Sequence, residues 1–219
     1  MTNPIIQRNV FLFIIGICCY ACTTTSPKKN LPVLGRPEIV TQFINGTIQT
    51  DTLPHRVANF QLLNQDSVLI TNDSLRDNIY VADFFFTSCP TICPVMKKQL
   101  LRVYDQYHND NRLKIVSHTI DPNYDNVNVL AEYSQALGVD SDHWLFLTGN
   151  QDSIYQLGEK SYMVTAGSDE EAPGGFIHSG AFLLVDRERR IRGVYDGTME
   201  EQVDLLLSDI NILLNEEYK

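Results

Sequence analysis

"NIYVADFFFTSCPTICPVMKK", Asn78 to Lys98, carries more of the architecture than any other stretch of the chain. Its first part, Asn78 to Phe86, is rich in Val, Ile and aromatic residues and apolar on both faces. That pattern suits a central strand covered on both sides. Its last part opens a helix. From Pro94 onward Val95, Met96, Leu100, Val103, Tyr104 and Tyr107 fall at helical spacing, with Lys97, Lys98, Arg102 and Asp105 on the wet side. Between strand and helix lie Cys89 and Cys93, each followed by a proline. The residue before a proline avoids the α region, so Ser88 and Cys93 are expected to be extended. Pro94 suits the first helical position, where its missing N–H costs nothing. The pair reads as a loop on a helix N-terminus, with Cys93 near the N-cap.

Working outward, "HRVANFQLLNQDSVLIT", His55 to Thr71, alternates loosely around Asn64-Gln65-Asp66 and reads as a hairpin. "LKIVSHTID", from Leu113, is a strand. "DNVNVLAEYSQALG" is a helix with Asp125 or Asn126 as N-cap and Gly138 as its stop. "HWLFLTG" is a short strand and "NQDSIYQLGEKSY" a helix. "GAFLLVD" and "RIRGVYDG" form a hairpin turning at 187–190. "TMEEQVDLLLSDINILLNE" is the closing helix. Thr198 and Glu201 spell a capping box for it, and Val203, Leu206, Leu207 and Ile210 form its stripe. Parallel crossovers first and an antiparallel edge last make an α/β sandwich. The pattern resembles thioredoxin. The expected fold is a thioredoxin-like three-layer sandwich with a mixed central sheet, an N-terminal hairpin and an inserted strand–helix segment.

The chain has 219 residues and a formal net charge of −10. The charge argues against a nucleic-acid partner, which would need a basic face. It permits a basic partner or a cationic cargo. Of five cysteines, Cys18, Cys19 and Cys22 crowd the N-terminus, leaving Cys89 and Cys93 as the only pair in the body. One pair is not a disulfide framework.

Three chemistries are open to that pair: a disulfide, a redox couple or a metal clamp. Thioredoxin-type enzymes use C-x-x-C, whereas the spacing here is C-x-x-x-C. Free N–H groups and the dipole at a helix N-terminus favour a thiolate. A disulfide demands a Cβ separation of about 3.8 Å. Two thiolates on a metal tolerate more, so the extra residue admits a metal without forbidding the disulfide. Thiolates suit copper(I) or zinc, and a third donor is expected from elsewhere in the fold. The candidate is His178, which follows a loop containing Pro173, Gly174 and Gly175 and precedes the hairpin strand. In thioredoxin folds this position faces the cysteine loop. The other histidines are weaker candidates. His55 begins the first hairpin, His108 lies past the cysteine helix, His118 reads as a core residue, and His143 reads as surface.

The N-terminus reads as an export signal. Residues 1–9 carry one base, Arg8, and no acid, and "VFLFIIGICCYAC", Val10 to Cys22, is almost wholly apolar. As a helix this run is roughly 20 Å long, short of the about 30 Å of a bilayer core. An uncleaved anchor helix is the competing reading. "YACTTTS" resembles a bacterial lipoprotein cleavage site with Cys22 as the lipidated residue. Cys19 and Tyr20 depart from the common pattern there, and Cys18 and Cys19 are poorer acceptors. The expected organisation is a signal peptide over 1–22, a tether and N-terminal extension over 23–50, and the folded domain over 51–219.

Taken together, "ADFFFTSCPTICP", "HTIDPNYDNVNVLAEY", "WLFLTG" and "IHSGAFLLVD" resemble the Sco/SenC family of copper proteins. That family's T-x-C-P-x-x-C-P motif and distant histidine match at Cys89, Cys93 and His178. The resemblance implies a thioredoxin-like domain of the bacterial cell envelope. It would be membrane-anchored through an N-terminal lipid and face the periplasm or exterior. It further implies one copper ion, Cu(I) or Cu(II), per chain on those three residues. The implied partner is subunit II of cytochrome c oxidase, whose CuA centre the family assembles. Another copper chaperone or a thiol reductant is a further implied partner, and nucleic acid is not. Many members carry an acid immediately after Cys-Pro, where this chain has Thr91. Asp121 and Asp125 match the family's acidic pair, and read more simply as a turn and a helix cap than as ligands.

Two functions follow. A metallochaperone would hold copper on the thiolates and imidazole. A thiol–disulfide oxidoreductase would use Cys89 as exposed nucleophile and Cys93 as resolving thiol, reducing the cysteines of the CuA site. A peroxiredoxin-like activity lacks its P-x-x-x-[TS]-x-x-C arrangement.

Overall fold

The computed structural model describes residues 30–169 and 171–218. The stretch read as an export signal, with Cys22, lies outside the described residues. Two hairpins come first: β1 (Glu38–Ile44) with β2 (Thr47–Leu53), and β3 (Gln61–Leu63) with β4 (Leu69–Thr71). The second is the hairpin read from "HRVANFQLLNQDSVLIT". The first was not foreseen; β1 and part of β2 occupy the stretch read as an extension.

The central sheet is built from β5 (Ile79–Phe85), β6 (Leu113–Thr119), β7 (Trp144–Leu147), β10 (Ala181–Val185) and β11 (Ile191–Asp196). Its order is β11-β10-β5-β6-β7. β5, β6 and β7 are parallel, and β10 is antiparallel to both β5 and β11. Every residue of β5 is buried, as a strand apolar on both faces requires, and Asp83 is buried with the rest. This is the mixed, thioredoxin-like sheet expected from the order of elements.

Helices α1 (Cys93–Tyr107), α2 (Val127–Leu137) and α4 (Glu200–Glu217) lie against the sheet face that carries Asp83, Phe85, Ser117 and Phe146. The opposite face carries Tyr80, Phe84 and His118. It is covered by α3 (Gln151–Gln156), which runs on into a π-helical turn over Leu157–Tyr162. The sequence pattern read this as one helix. The π-turn brings Tyr162 onto His118 and Phe84, and Gly158 against Phe84, where a Cβ would stand 3.2 Å from the ring. Between this turn and β10 sits a small pair, β8 (Ala166–Ser168) with β9 (Phe176–His178).

One local expectation is corrected, and one is narrowed to the second of its two candidates. The capping box at Thr198 and Glu201 does not form. Met199 is the N-cap, and the Thr198 hydroxyl and N–H both donate to the Asp196 carboxylate instead. Asn126, not Asp125, caps α2, its side chain accepting from the N–H groups of Asn128 and Val129. Gly138 ends that helix with φ +70°, as expected.

Candidate metal centre

β5 ends at Phe85, and the chain turns through Thr87–Ile92 before α1 begins. Cys93 is itself the first helical residue, with Pro94 next, so it is not extended as its proline neighbour suggested. Ser88, Pro90 and Thr91 are exposed while Cys89 and Cys93 beneath them are buried, at 8% and 6% exposure. Cys89 is therefore less open than the sequence reading supposed. Both thiols are free.

A buried carboxylate holds the start of this loop. Asp125 accepts hydrogen bonds from the Thr87 N–H (3.0 Å), the Thr87 hydroxyl and the Thr119 hydroxyl (2.5 Å). It is fully buried. Asp125 thus ties the cysteine loop to the end of β6. Asp121 accepts from the N–H of Tyr124 in a turn. Neither belongs to a metal-holding cluster: among the described residues the one group of three or more potential ligands is Cys89, Cys93 and His178.

The histidine arrives from the far side of the sheet. β9 ends at His178, after a loop in which Gly174 and Gly175 adopt φ +85° and +82°. Gly174 also lies close against the cysteine loop, where a Cβ would meet Phe86 at 2.9 Å and Pro90 at 3.2 Å. Both its conformation and its contact therefore demand glycine. The His178 ring stands edge-on to Phe86, which also packs on Phe176. Its Nε2 lies 3.2 Å from Cys93 Sγ and 3.8 Å from Cys89 Sγ, and all three donor atoms fall within 4.8 Å of one another. Its Nδ1 is 3.3 Å from the Ser179 carbonyl. An Nδ1–H donated there leaves the Nε2 lone pair aimed at the sulfurs, the tautomer a metal needs.

The three groups titrate differently. Burial lowers the His178 pKa and keeps the ring neutral, against the opposing pull of the Ser179 and Phe84 carbonyls. For Cys89, burial pushes the thiol up. Hydrogen bonds from the Cys93 thiol and from Thr91 outweigh it, and the net shift is downward. Cys93 moves strongly upward, through burial first and then its hydrogen bond to Cys89. Cys89 is the readier thiolate of the two. The Thr91 hydroxyl, 3.6 Å from Cys89 Sγ, contributes to that. Sequence reasoning noted Thr91 only as a missing carboxylate, and it missed Phe86 and Phe176, the wall behind the imidazole.

The remaining histidines are accounted for elsewhere. His55 bonds the Ser161 carbonyl, and His108 stacks on Tyr104. His118 is a buried core residue, as read. His143 is not a free surface group; it is paired with Asp140 at 2.9 Å.

A parallel strand–helix unit with two thiols at the helix N-terminus, met by an imidazole held ahead of the antiparallel edge, defines a thioredoxin-fold protein with a two-sulfur, one-nitrogen donor set that could hold a metal ion. Comparison with known proteins agrees. The SCO1/SenC family model matches residues 49–214, and the chain belongs to that family. The SCO1 protein homolog of Bacillus subtilis is 30% identical over 162 residues, covering 73% of this chain and 83% of that one. A SCO1/SenC family lipoprotein from Bacillus anthracis superposes with a TM-score of 0.66 at 25% identity, covering 73% of this chain and 95% of that one. Yeast Sco1 with copper bound superposes at 0.55, also at 25% identity, covering 72% and 90%. The Sco family is one of cytochrome c oxidase assembly proteins.

Proposed function

We propose that this chain is a copper metallochaperone of the cell envelope that serves the CuA centre of cytochrome c oxidase subunit II. The observation that carries the reading is the convergence of Cys89 Sγ, Cys93 Sγ and His178 Nε2 within 4.8 Å. Two thiolates and a neutral imidazole form a soft-to-borderline donor set, which suits copper(I) through the sulfurs and accommodates copper(II) through the nitrogen. Cys89, Cys93 and His178 would hold one copper ion as cargo. Zinc fits the same donors and is the competitor to be excluded. The copper-bound yeast relative supports the choice of metal.

Release needs ligands that can be exchanged. Ser88, Pro90 and Thr91 form the exposed rim over the sulfurs, and His178 is carried on a short strand behind a two-glycine loop. An acceptor could therefore replace His178 first while the cysteines keep hold.

A second reading is favoured by one observation, the opposite displacement of the two thiols. As a reductant, Cys89 thiolate would attack a target disulfide and displace one target sulfur. Cys93 would then lose its proton and displace the other, leaving a target dithiol and a Cys89–Cys93 disulfide. An external thiol reductant must reset the pair.

The N-terminus would supply the membrane attachment, through a lipid on Cys22 after cleavage of residues 1–21. The lipoprotein relative supports this. No helix among the described residues is long and apolar enough to cross a membrane. Accumulation of precursor under globomycin, and loss of attachment in Cys22→Ser, are the expected results. Unchanged processing and attachment in Cys22→Ser would reject the lipid anchor.

The deciding experiment is anaerobic loading with copper(I), metal counting, and transfer to an apo subunit II domain, for the wild type and His178→Ala. A metallochaperone loses copper affinity by on the order of 100-fold or more and loses transfer, while thiol exchange survives. Unchanged affinity and transfer in His178→Ala would sink the proposed site.

A further inference from the structure

The hairpin β1–β2 has no role in the copper site, yet it is the most exposed apolar element of the domain. Directly opposed residues share a face, and the register pairs Ile39 with Thr52, Thr41 with Thr50, and Phe43 with Ile48. One face therefore carries Ile39, Phe43 and Ile48 among three threonines and no charge, in a chain of net charge −10. Those three side chains are 73%, 75% and 68% exposed. Glu38 and Asp51 belong to the other face. Neither strand pairs with the central sheet. A lone hairpin with an uncovered apolar face is marginal in water and marks an interaction surface.

Its position relative to the tether identifies the occupant. The copper site follows the C-terminal end of β5. At the other end of β5, Tyr80 pairs with Val185, and Val185 with Ile191. Both feet of the hairpin are fastened at that second end. Leu34 N–H donates to the Ile191 carbonyl, and Val57 N–H to the Arg189 carbonyl, each at 2.8 Å. The incoming chain is clamped there too. Buried Arg192 donates to the carbonyls of Leu31 and Pro32 and to Glu216, and Glu216 accepts from Leu31 N–H. The seven residues of β5 separate the two ends by about 20 Å. The apolar run Val10–Cys22 stops eight residues before Asn30. At about 3.4 Å per residue that gap reaches less than 30 Å, so the tethered end of the domain stays close to its anchor.

The geometry points to the lipid surface of the anchoring membrane as the partner of the hairpin. Ile39, Phe43 and Ile48 insert at the interface, and the domain stands with its copper site directed away from the bilayer. An uncharged apolar face suits this chain, because its acidic surface is repelled by anionic lipid beyond direct contact. The inference rests on the membrane attachment proposed above, and the test separates the two.

The full chain, purified from membranes, is reconstituted into phosphatidylcholine vesicles with and without brominated acyl chains. Phe43→Trp and, at the site end of α1, Val95→Trp are compared by fluorescence. Trp144, the sole native tryptophan, is buried in the core and serves as the internal reference. The expected result is strong quenching of Phe43→Trp by brominated lipid, none of Val95→Trp, and co-flotation of both with the vesicles. Co-flotation without quenching of Phe43→Trp overturns the hairpin's role and leaves the anchor intact. Failure to float overturns the anchor itself and the hairpin reading with it. Unquenched Phe43→Trp together with a dimer that Ile39→Ser/Phe43→Ser/Ile48→Ser abolishes would assign the face to a second copy, and overturn the lipid assignment.

Discussion

Replacing His118 with leucine removes an acid-sensitive group from the core. The imidazole is fully buried on β6, stacked on Phe84 at a centroid distance of 5.0 Å. Its Nε2 meets the Tyr162 hydroxyl at 3.3 Å, and its Nδ1 has no partner. Burial alone pushes its pKa down from 6.5 to about 3. The folded value lies below the unfolded one, so acid favours the unfolded chain, which takes up the proton first. The stability contributed by the neutral ring is complete above pH 6.5 and is lost as pH falls toward 3. At pH 4 the unfolded group has been titrated across about 2.5 units, each worth about 1.36 kcal/mol, so the loss is roughly 3 kcal/mol. Urea unfolding of wild type and His118→Leu at pH 7, 6, 5 and 4 measures it. Other titrating groups cancel in the difference between the two proteins, because the partner of His118 is a tyrosine that stays neutral throughout. The difference should swing toward the leucine variant by roughly 3 kcal/mol between pH 7 and pH 4. A difference that stays flat to within about 1 kcal/mol would refute the assignment of a neutral, desolvated imidazole.

Asp83, buried on the other sheet face and bonded by the Ser117 hydroxyl, has the opposite sign. Burial raises its pKa to about 7, against the hydrogen bond from Ser117, so stability present below pH 3.8 is lost as pH rises through 7. Asp83→Asn should therefore gain up to about 4 kcal/mol on wild type between pH 4 and pH 8 in the same assay; a flat difference would contradict this. Asp125→Ala strands the Thr87 and Thr119 donors and should cost about 3–5 kcal/mol in chemical denaturation. It should also weaken copper(I) binding through the loosened loop, and unchanged affinity would show that the loop does not depend on it. Arg192→Ala removes the buried cation from Glu216 while Asp186 keeps Arg190 at 2.7 Å, and it strands the Leu31 and Pro32 carbonyls, so it should cost about 3 kcal/mol. Protease cleavage near residues 31–34 should appear with it, and a wild-type digestion pattern would deny the clamp.

Much of the site was legible because its first part is local. The largely apolar run of β5, the two Cys-Pro pairs and the stripe of α1 lie within thirty consecutive residues. Backbone sterics and periodicity act between near neighbours, so strand, loop and helix N-terminus can be read in order. Even there the reading erred by one residue. Cys93 is the first helical residue, with Ile92 already in the α region before it, despite the preference that Pro94 imposes on Cys93. Thr198 was also misread: Asp196, two residues earlier, was the nearer acceptor for its hydroxyl.

The chain pattern alone therefore determined the order of strands and helices and the placement of two thiols at a helix N-terminus. The chain pattern and the family resemblance named His178 as the candidate third donor, and only the tertiary structure decided how closely it meets them. His178 is 85 residues from Cys93, and its Nε2 reaches both sulfurs because β9, the two glycines and the register of β10 on β5 aim it there. The roles of Asp125, Arg192 and the β1–β2 hairpin likewise depend on which distant segments the sheet brings together. Short-range preferences fix local conformation, whereas distances between remote side chains follow from register and packing, which no single stretch encodes.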